Sequence, residues 1–465
     1  MPKLQADYLV IGTGAVSMAF VDVMLDETDA TFVMVDRHHM PGGHWNDAYP
    51  FVRLHQPSAF YGVSSLPLGA DRIDEDGPNK GYFELASGAE VLAYYEKVMR
   101  ERFLPSGRVR YFPMSDYKGG GVFQSLLSDE THEVTIGKRT VDGTFFNTSV
   151  PSTHNRKFAV ADGVSCITPN LLPREAEKYR RFTIVGAGKT GMDAAVWLLN
   201  SGVDPDAVSW VMPRDSWLVN RDGTQPDVRF FKNSIGGFMD QMEACGAAND
   251  VDDLFDRLEA CGAMLRIDAE RRPTMFHYAT ISQGEIEQLR SIKNVLRQGR
   301  VERIEADQIV FQNGETSAAD METLYVDCSA TAVQFSTEQS TVFKEGLITL
   351  QSVRTPLLPF SAAVIAYLEA HYETDEERNR LSTPVILADT PAEWMQSMVG
   401  NLQNQFLWSQ EKELSNWLTD NRLDPFGKVI RDVEKTPDNA EILKRVRDAM
   451  MPGVMNLQKL IGEAD

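Results

Sequence analysis

Cysteine is scarce and scattered. The four residues, at 166, 245, 261 and 328, form no CxxC pair and no metal-ligand spacing. That excludes a disulfide framework and a redox dithiol, and it predicts a reduced, cytoplasmic setting. Positive charge is also short: 46 Lys and Arg stand against 67 Asp and Glu, a formal charge of −21. Such a field repels phosphate backbones and anionic lipid, so neither nucleic acid nor a membrane surface is expected as a partner. Long apolar runs are missing, since the most apolar early segment, residues 8–25, is broken by a glycine turn and Asp22. Asp7 precedes that run and no small-residue cleavage site ends it, so no secretory signal is expected. His38, His39 and His44 lack acidic or cysteine partners at ligand spacing, so they read as a solvated loop and no metal is expected.

What is present is organised. At 465 residues the chain exceeds one compact core and predicts two or three domains. Residues 7–11 form a β-rich run that ends in Gly12-Thr13-Gly14, and the apolar stretch 16–25 follows: strand, glycine turn, helix. A second β-rich run, 31–35, ends at Asp36-Arg37. The same grammar returns at 182–185, then Gly186-Ala187-Gly188-Lys189-Thr190-Gly191, a helix to Leu199, and a strand 208–212 closing at Pro213-Arg214. A GxG turn lets the backbone approach a diphosphate while the next helix directs unpaired N–H groups at it. Gly12, Gly14 and Ser17 form the first such hollow, with serine at the third glycine position. Gly186, Gly188 and Gly191 form the second, with Lys189 and Thr190 in its turn. Asp36 can accept from both hydroxyls of an adenosine ribose and repels a 2′-phosphate, so the first unit is expected to hold FAD. Arg214 offers a planar cationic fork to a 2′-phosphate, and Lys189 adds charge, so the second is expected to hold NADPH.

Elsewhere the reading is coarser. Ser87 to Glu90 has capping-box spacing and predicts a helix through Tyr94, Val98 and Arg102, followed by β-rich runs near 108–112, 133–136 and 144–150. Residues 225–295 read as an acidic, mostly helical insertion. The stretch 300–311 alternates as strands do, Asn313-Gly314 marks a hairpin turn, and 324–328 is a final β run in which Cys328 reads as a buried small hydrophobe. Helices are expected from 353 onward.

The run Pro41-Gly42-Gly43-His44-Trp45-Asn46-Asp47-Ala48-Tyr49-Pro50, with Arg53-Leu54-His55-Gln56-Pro57 and Tyr61 after it, resembles the GG-x-W…YP…P-x-x-x-Y segment of class B flavoprotein monooxygenases. This family comprises the flavin-containing and Baeyer–Villiger monooxygenases. The resemblance implies that Gly42, Gly43 and Trp45 lie along FAD. It also implies that Arg53, His55 and Gln56 stand beside the reacting flavin edge, Gln56 as a hydrogen-bond donor and His55 or Arg53 as the stabiliser of negative charge. Residues 324–332 are similar to the family's D-x-x-x-x-A-T-G stretch, which assigns Ala330 and Thr331 to the cofactor. Arg354, Phe360 and Ser361, ahead of a helix at 362–370, are implied to bring a helix N-terminus to the flavin pyrimidine. The family's FxGxxxHxxxW fingerprint is reduced here to Gly163, with Ile167 and Leu171 where His and Trp belong, and Ala332 replaces the glycine of ATG.

The expected fold class is thus α/β, with two Rossmann-like dinucleotide-binding domains, the second inserted into the first. Residues 1–172 and 326–465 would form the FAD domain with a helical C-terminal region, and 173–325 the NADPH domain carrying the helical insertion 225–295. The resemblance implies an FAD- and NADPH-dependent monooxygenase that acts on a small organic substrate and O2 through a flavin C4a-(hydro)peroxide. An NADPH oxidase or flavin reductase, which the reduced fingerprint favours, and a flavin-dependent halogenase are alternatives on the same cofactors. A non-catalytic nucleotide-binding scaffold is the alternative of another class. A homodimer is compatible with the sequence and not required by it.

Overall fold

The computed structural model describes residues 3–146, 148–330 and 340–464. Its first sheet is built on Lys3–Ile11, which pairs in parallel with Phe32–Val35 on one side and Thr131–Asp142 on the other. Val109–Phe112 extends the sheet beyond Phe32–Val35, and Leu347–Thr349 joins in parallel beyond Thr131–Asp142. Strands from residues 3–142 and 343–349 therefore share one sheet. Two helices, Ala15–Glu27 and Leu358–His371, cover one face of it. Leu358–His371 is apolar all round, as a helix must be when it is buried on every side. Pro359 sits in its first turn, where a missing N–H costs nothing, so the helix starts at Leu358, ahead of the expected 362. Phe360 and Ser361 lie inside it.

The second sheet is all-parallel, in the order Asn294–Leu296, Val208–Val211, Arg181–Val185, Thr323–Asp327, Cys166–Ile167. The helix Lys189–Asn200 joins its two central-left strands. A smaller meander, residues 301–318 with Ala159–Val160, lies on the same part of the chain.

Residues 225–295, expected to be mostly helical, also contribute strands: Met264–Leu265 and Met275–Ile281 pair with Ser216–Asn220 in a three-stranded sheet beside the helices Gly237–Ala247 and Val251–Ala260. One expectation changes. No strand forms at the described residues of 144–150. Thr131–Asp142 ends because Gly143 passes under the opening helix, where a Cβ would collide with Ser17 Oγ and come within 2.9 Å of the Ile11 carbonyl. Among the described residues no helix is long and apolar enough to cross a membrane.

Candidate active site

The first glycine turn has the shape a diphosphate needs. Gly12 holds a φ of +84°, where a side chain is strained. The opening helix begins after Gly14 with no side chain capping it. Gly42 N–H donates to the Thr13 carbonyl at 2.9 Å, folding the Gly42-Gly43 turn back onto the first turn, and a Cβ on Gly43 would stand 2.9 Å from the Gly14 Cα. Ser17 Oγ is buried there without a partner among the described residues.

Asp36 does more than was expected of it. One carboxylate oxygen accepts from Thr13 N–H (2.5 Å) and Thr13 Oγ1 (2.8 Å), the other from His38 N–H (2.8 Å) and His38 Nδ1 (2.9 Å). Burial pushes this carboxyl up, yet the His38 and Thr13 hydrogen bonds outweigh it and hold the pKa below the ordinary value. A ribose would take over bonds that Thr13 and His38 now make. His38 Nε2 meets Asp47 at 2.8 Å, so His38 is not a solvated loop residue: clamped between Asp36 and Asp47, its pKa rises to about 9. Among the described residues no cluster of His, Cys, Asp and Glu is arranged for a metal. Arg37 is exposed and pairs with Asp116. Trp45 is buried in the core and donates to the Tyr61 hydroxyl at 2.8 Å, where its place after the glycine pair implied a flavin contact.

In the second turn the three glycines divide their work. A Cβ on Gly186 would be 2.5 Å from the Cys328 carbonyl, and one on Gly191 would collide with the Gly186 carbonyl, so both serve close packing. A Cβ on Gly188 would meet nothing within 4 Å, and Gly188 is the uncapped N-cap of its helix. The open side of this hollow therefore lies at Gly188. Trp210 Nε1 donates to the Gly186 carbonyl at 2.8 Å and fixes the turn. Arg214 is exposed just past the strand Val208–Val211 and makes no ion pair among the described residues. Lys189 is not free for a phosphate: its ammonium binds Asp193 and, at 3.3 Å, Glu285. Asp327 fixes the turn after its strand by accepting from Ser329 N–H (3.0 Å) and Ser329 Oγ (2.6 Å), with Ala330 following; Thr331 and Ala332 lie outside the described residues.

A buried charge network joins the two units. Lys189, Asp193 and Trp197 share one face of their helix. The Tyr49 hydroxyl donates to Asp193 at 2.7 Å, with Thr190 beside it, and Phe51 stacks on Trp197 at 5.4 Å. Glu285, which also closes a capping box with Ser282, accepts from Arg221 at 2.6 Å. Arg221 is 1% exposed and donates in addition to Asn79, the His55 carbonyl and the Thr280 carbonyl. Burial raises the Glu285 pKa, but Lys189 and Arg221 outweigh it and bring it down to about 2. His55 faces this network, and burial, aided by the charge of Lys189, lowers its pKa to about 4. It is neutral at pH 7 and offers a hydrogen bond without a charge.

The three residues after Tyr49-Pro50 part company. Gln56 lines a cavity of about 420 Å³, and its Nε2 is buried without a partner among the described residues. Arg53 is exposed, donates to the Leu85 carbonyl at 2.8 Å and lines a separate surface groove with Glu84 and Glu90. The cavity's remaining walls come from the three-stranded sheet, the helices 237–247 and 391–410, and the loop 352–357. That loop is tied down by one helix face: Asn401 both accepts from Thr355 N–H and donates to its carbonyl, each at 2.8 Å, and Asn404 donates to the Val353 carbonyl at 2.8 Å. Ser361 Oγ accepts from the Val353 and Arg354 N–H groups. These amides were missed in the sequence, although positions 401, 404 and 405 share a helical face.

The fold is α/β, with two sheets that each place a glycine turn ahead of an uncapped helix. No family model matches the chain. It is 44% identical over 464 residues to Uncharacterized protein Rv2000 of Mycobacterium tuberculosis and to Uncharacterized protein Mb2023 of Mycobacterium bovis, covering 99% of this chain and 83% of each relative. The chain belongs to the same family as these mycobacterial proteins. Solved structures of similar fold include a flavin-containing monooxygenase from Stenotrophomonas maltophilia, at 14% identity over 77% of this chain and 88% of that one (TM-score 0.41). A cyclohexanone monooxygenase from Rhodococcus sp. Phi1 bound to NADP+ is 13% identical over 97% and 98% (TM-score 0.46). Bacillithiol disulfide reductase from Bacillus cereus is 12% identical over 79% and 100% (TM-score 0.42).

Proposed function

We propose that the chain is an FAD- and NADPH-dependent oxidoreductase that oxygenates a small organic substrate, with the unit of residues 166–327 inserted into the flavin unit as its nicotinamide-nucleotide domain. The observation that carries this reading is the pair of glycine hollows, each following a central strand flanked by parallel neighbours and each opening onto an uncapped helix N-terminus. Backbone N–H groups there would bind two diphosphates, and at the first of them the absence of side chains on Gly14 and Gly43 lets the two glycine turns pack against each other. Bound flavin supplies hydride acceptance from the nicotinamide and the activation of O2. The chain's own residues orient and shield. Gln56 lines the cavity and carries a buried, unspent Nε2 donor, and neutral His55 next to it in the chain offers a hydrogen bond without a charge.

Ile167 and Leu171, in place of the fingerprint His and Trp, favour a second reading, in which reduced flavin passes electrons to O2 and no substrate is oxygenated. Product analysis against peroxide release separates the two. The flavin assignment is tested by visible absorbance of the purified protein. Wild type is expected to be yellow, and Gly14→Val, which fills the hollow, to be colourless at unchanged secondary structure. A fully loaded Gly14→Val protein would show that flavin sits elsewhere.

A further inference from the structure

The cavity behind Gln56 holds a cation, Arg354, that forms no ion pair among the described residues. Arg354 reaches it from the loop that Asn401 and Asn404 tie down. With the Gln405 amide turned so that its oxygen faces the guanidinium, that oxygen lies 2.8 Å from Nε, 3.0 Å from Nη2 and 3.3 Å from Nη1. An atom that near all three nitrogens of a planar fork lies over its face, so the in-plane N–H donors are not spent on it. Asp424 is the acid whose charge Arg354 feels, yet its carboxylate accepts from Phe426 N–H (2.9 Å) and Gly427 N–H (3.2 Å) and forms no ion pair with Arg354 among the described residues. Two other carboxylates line the cavity on the insertion side. Asp222 is engaged by Asn233 at 2.7 Å, and Asp240 has its pKa raised by burial; Lys232 lies along the same wall.

A sequestered guanidinium with only a neutral amide against its face is costly unless an anion completes it. The same cavity has apolar lining beside its polar groups, with Phe238, Met398 and Leu402 among them. We propose that this cavity binds a small carboxylate, its apolar body against Phe238 and Met398 and its carboxylate on Arg354. The volume of about 420 Å³ suits a molecule of that size. Treating this ligand as the substrate rests on the oxidoreductase reading; the carboxylate site itself does not.

Full-length protein, its flavin content first recorded by visible absorbance, is titrated calorimetrically with benzoate and with benzamide, its neutral counterpart. Benzoate is expected to bind about 10- to 100-fold more tightly, the range that charged hydrogen bonds supply. Arg354→Met is expected to abolish that preference without weakening benzamide, and Arg354→Lys to keep part of it. Because the wild-type comparison needs no variant, misfolding of Arg354→Met leaves the test standing. Equal affinities, no binding of either compound, or a benzoate preference that survives in folded Arg354→Met overturn the proposal. Loss of flavin from Arg354→Met together with equal affinities in the wild type would overturn it too, by assigning the arginine to the cofactor. A colourless wild type that prefers benzoate keeps the carboxylate site and sinks the flavin reading; a yellow one that treats both compounds alike does the reverse.

Discussion

Glu285 holds the buried charge network together, because it is shared by Lys189 of the second glycine turn and Arg221 just past the strand Ser216–Asn220. Each of these charges is tolerable inside the protein only while the others remain. Arg221→Ala leaves Glu285 with Lys189 alone and strands Asn79, so it is expected to cost about 3–5 kcal/mol of stability in denaturant unfolding. A loss under 1 kcal/mol would mean that water relaxes the site. The pH dependence has a definite sign. The folded pKa of Glu285 is depressed to about 2, so its contribution is complete above the unfolded carboxyl pKa of roughly 4.3 and is lost as pH falls toward 2. Wild type should therefore lose more stability than Glu285→Gln on going from pH 5 to pH 3. The same residue explains why Lys189, read from the sequence as a phosphate ligand, serves as a structural cation. Its partner Glu285 stands far along the chain, and no local pattern announces it.

At the scale of elements, what could be read in advance is what local chemistry dictates. Gly12-Thr13-Gly14 after an apolar run predicts strand, turn and helix because each step is decided within a few residues, and the capping box at Ser87 closes as its spacing requires. The strand Met275–Ile281 escaped notice because it is stabilised by parallel pairing with Ser216–Asn220, a partner distant in sequence. The loop after Asp36 was also misjudged at His38, whose ring is held by an acid on each side. That loop carries a prediction of its own. His38 has its pKa raised to about 9, first by its hydrogen bond to Asp36, so its stabilising contribution is complete below the unfolded value of about 6.5 and is lost as pH rises through 9. Its ring proton resonances are expected to titrate near 9 in wild type and lower in Asp47→Asn. A midpoint near 6.5 in wild type would show that the clamp does not form.

For the whole molecule the net charge of −21 sets a constraint on the second nucleotide. A dinucleotide with an extra 2′-phosphate meets a repulsive field everywhere, so any preference for it has to be generated locally. Lys189 is withdrawn into the buried network, which leaves Arg214, exposed and without an ion pair among the described residues at the end of the strand Val208–Val211, as the group to supply it. Arg214→Ala is expected to weaken NADPH binding by about 1.5–3 kcal/mol, as loss of a charged hydrogen bond does, and to leave NADH nearly unchanged. Salt should separate the local attraction from the global repulsion. With Arg214 in place, raising ionic strength screens both, and the two changes oppose each other. In Arg214→Ala only the repulsion remains, so NADPH should bind more tightly as salt rises, measured by fluorescence titration over a tenfold range of ionic strength. Equal weakening of both coenzymes, or a variant whose affinity for NADPH falls with salt as steeply as that of wild type, would move the 2′-phosphate to another residue.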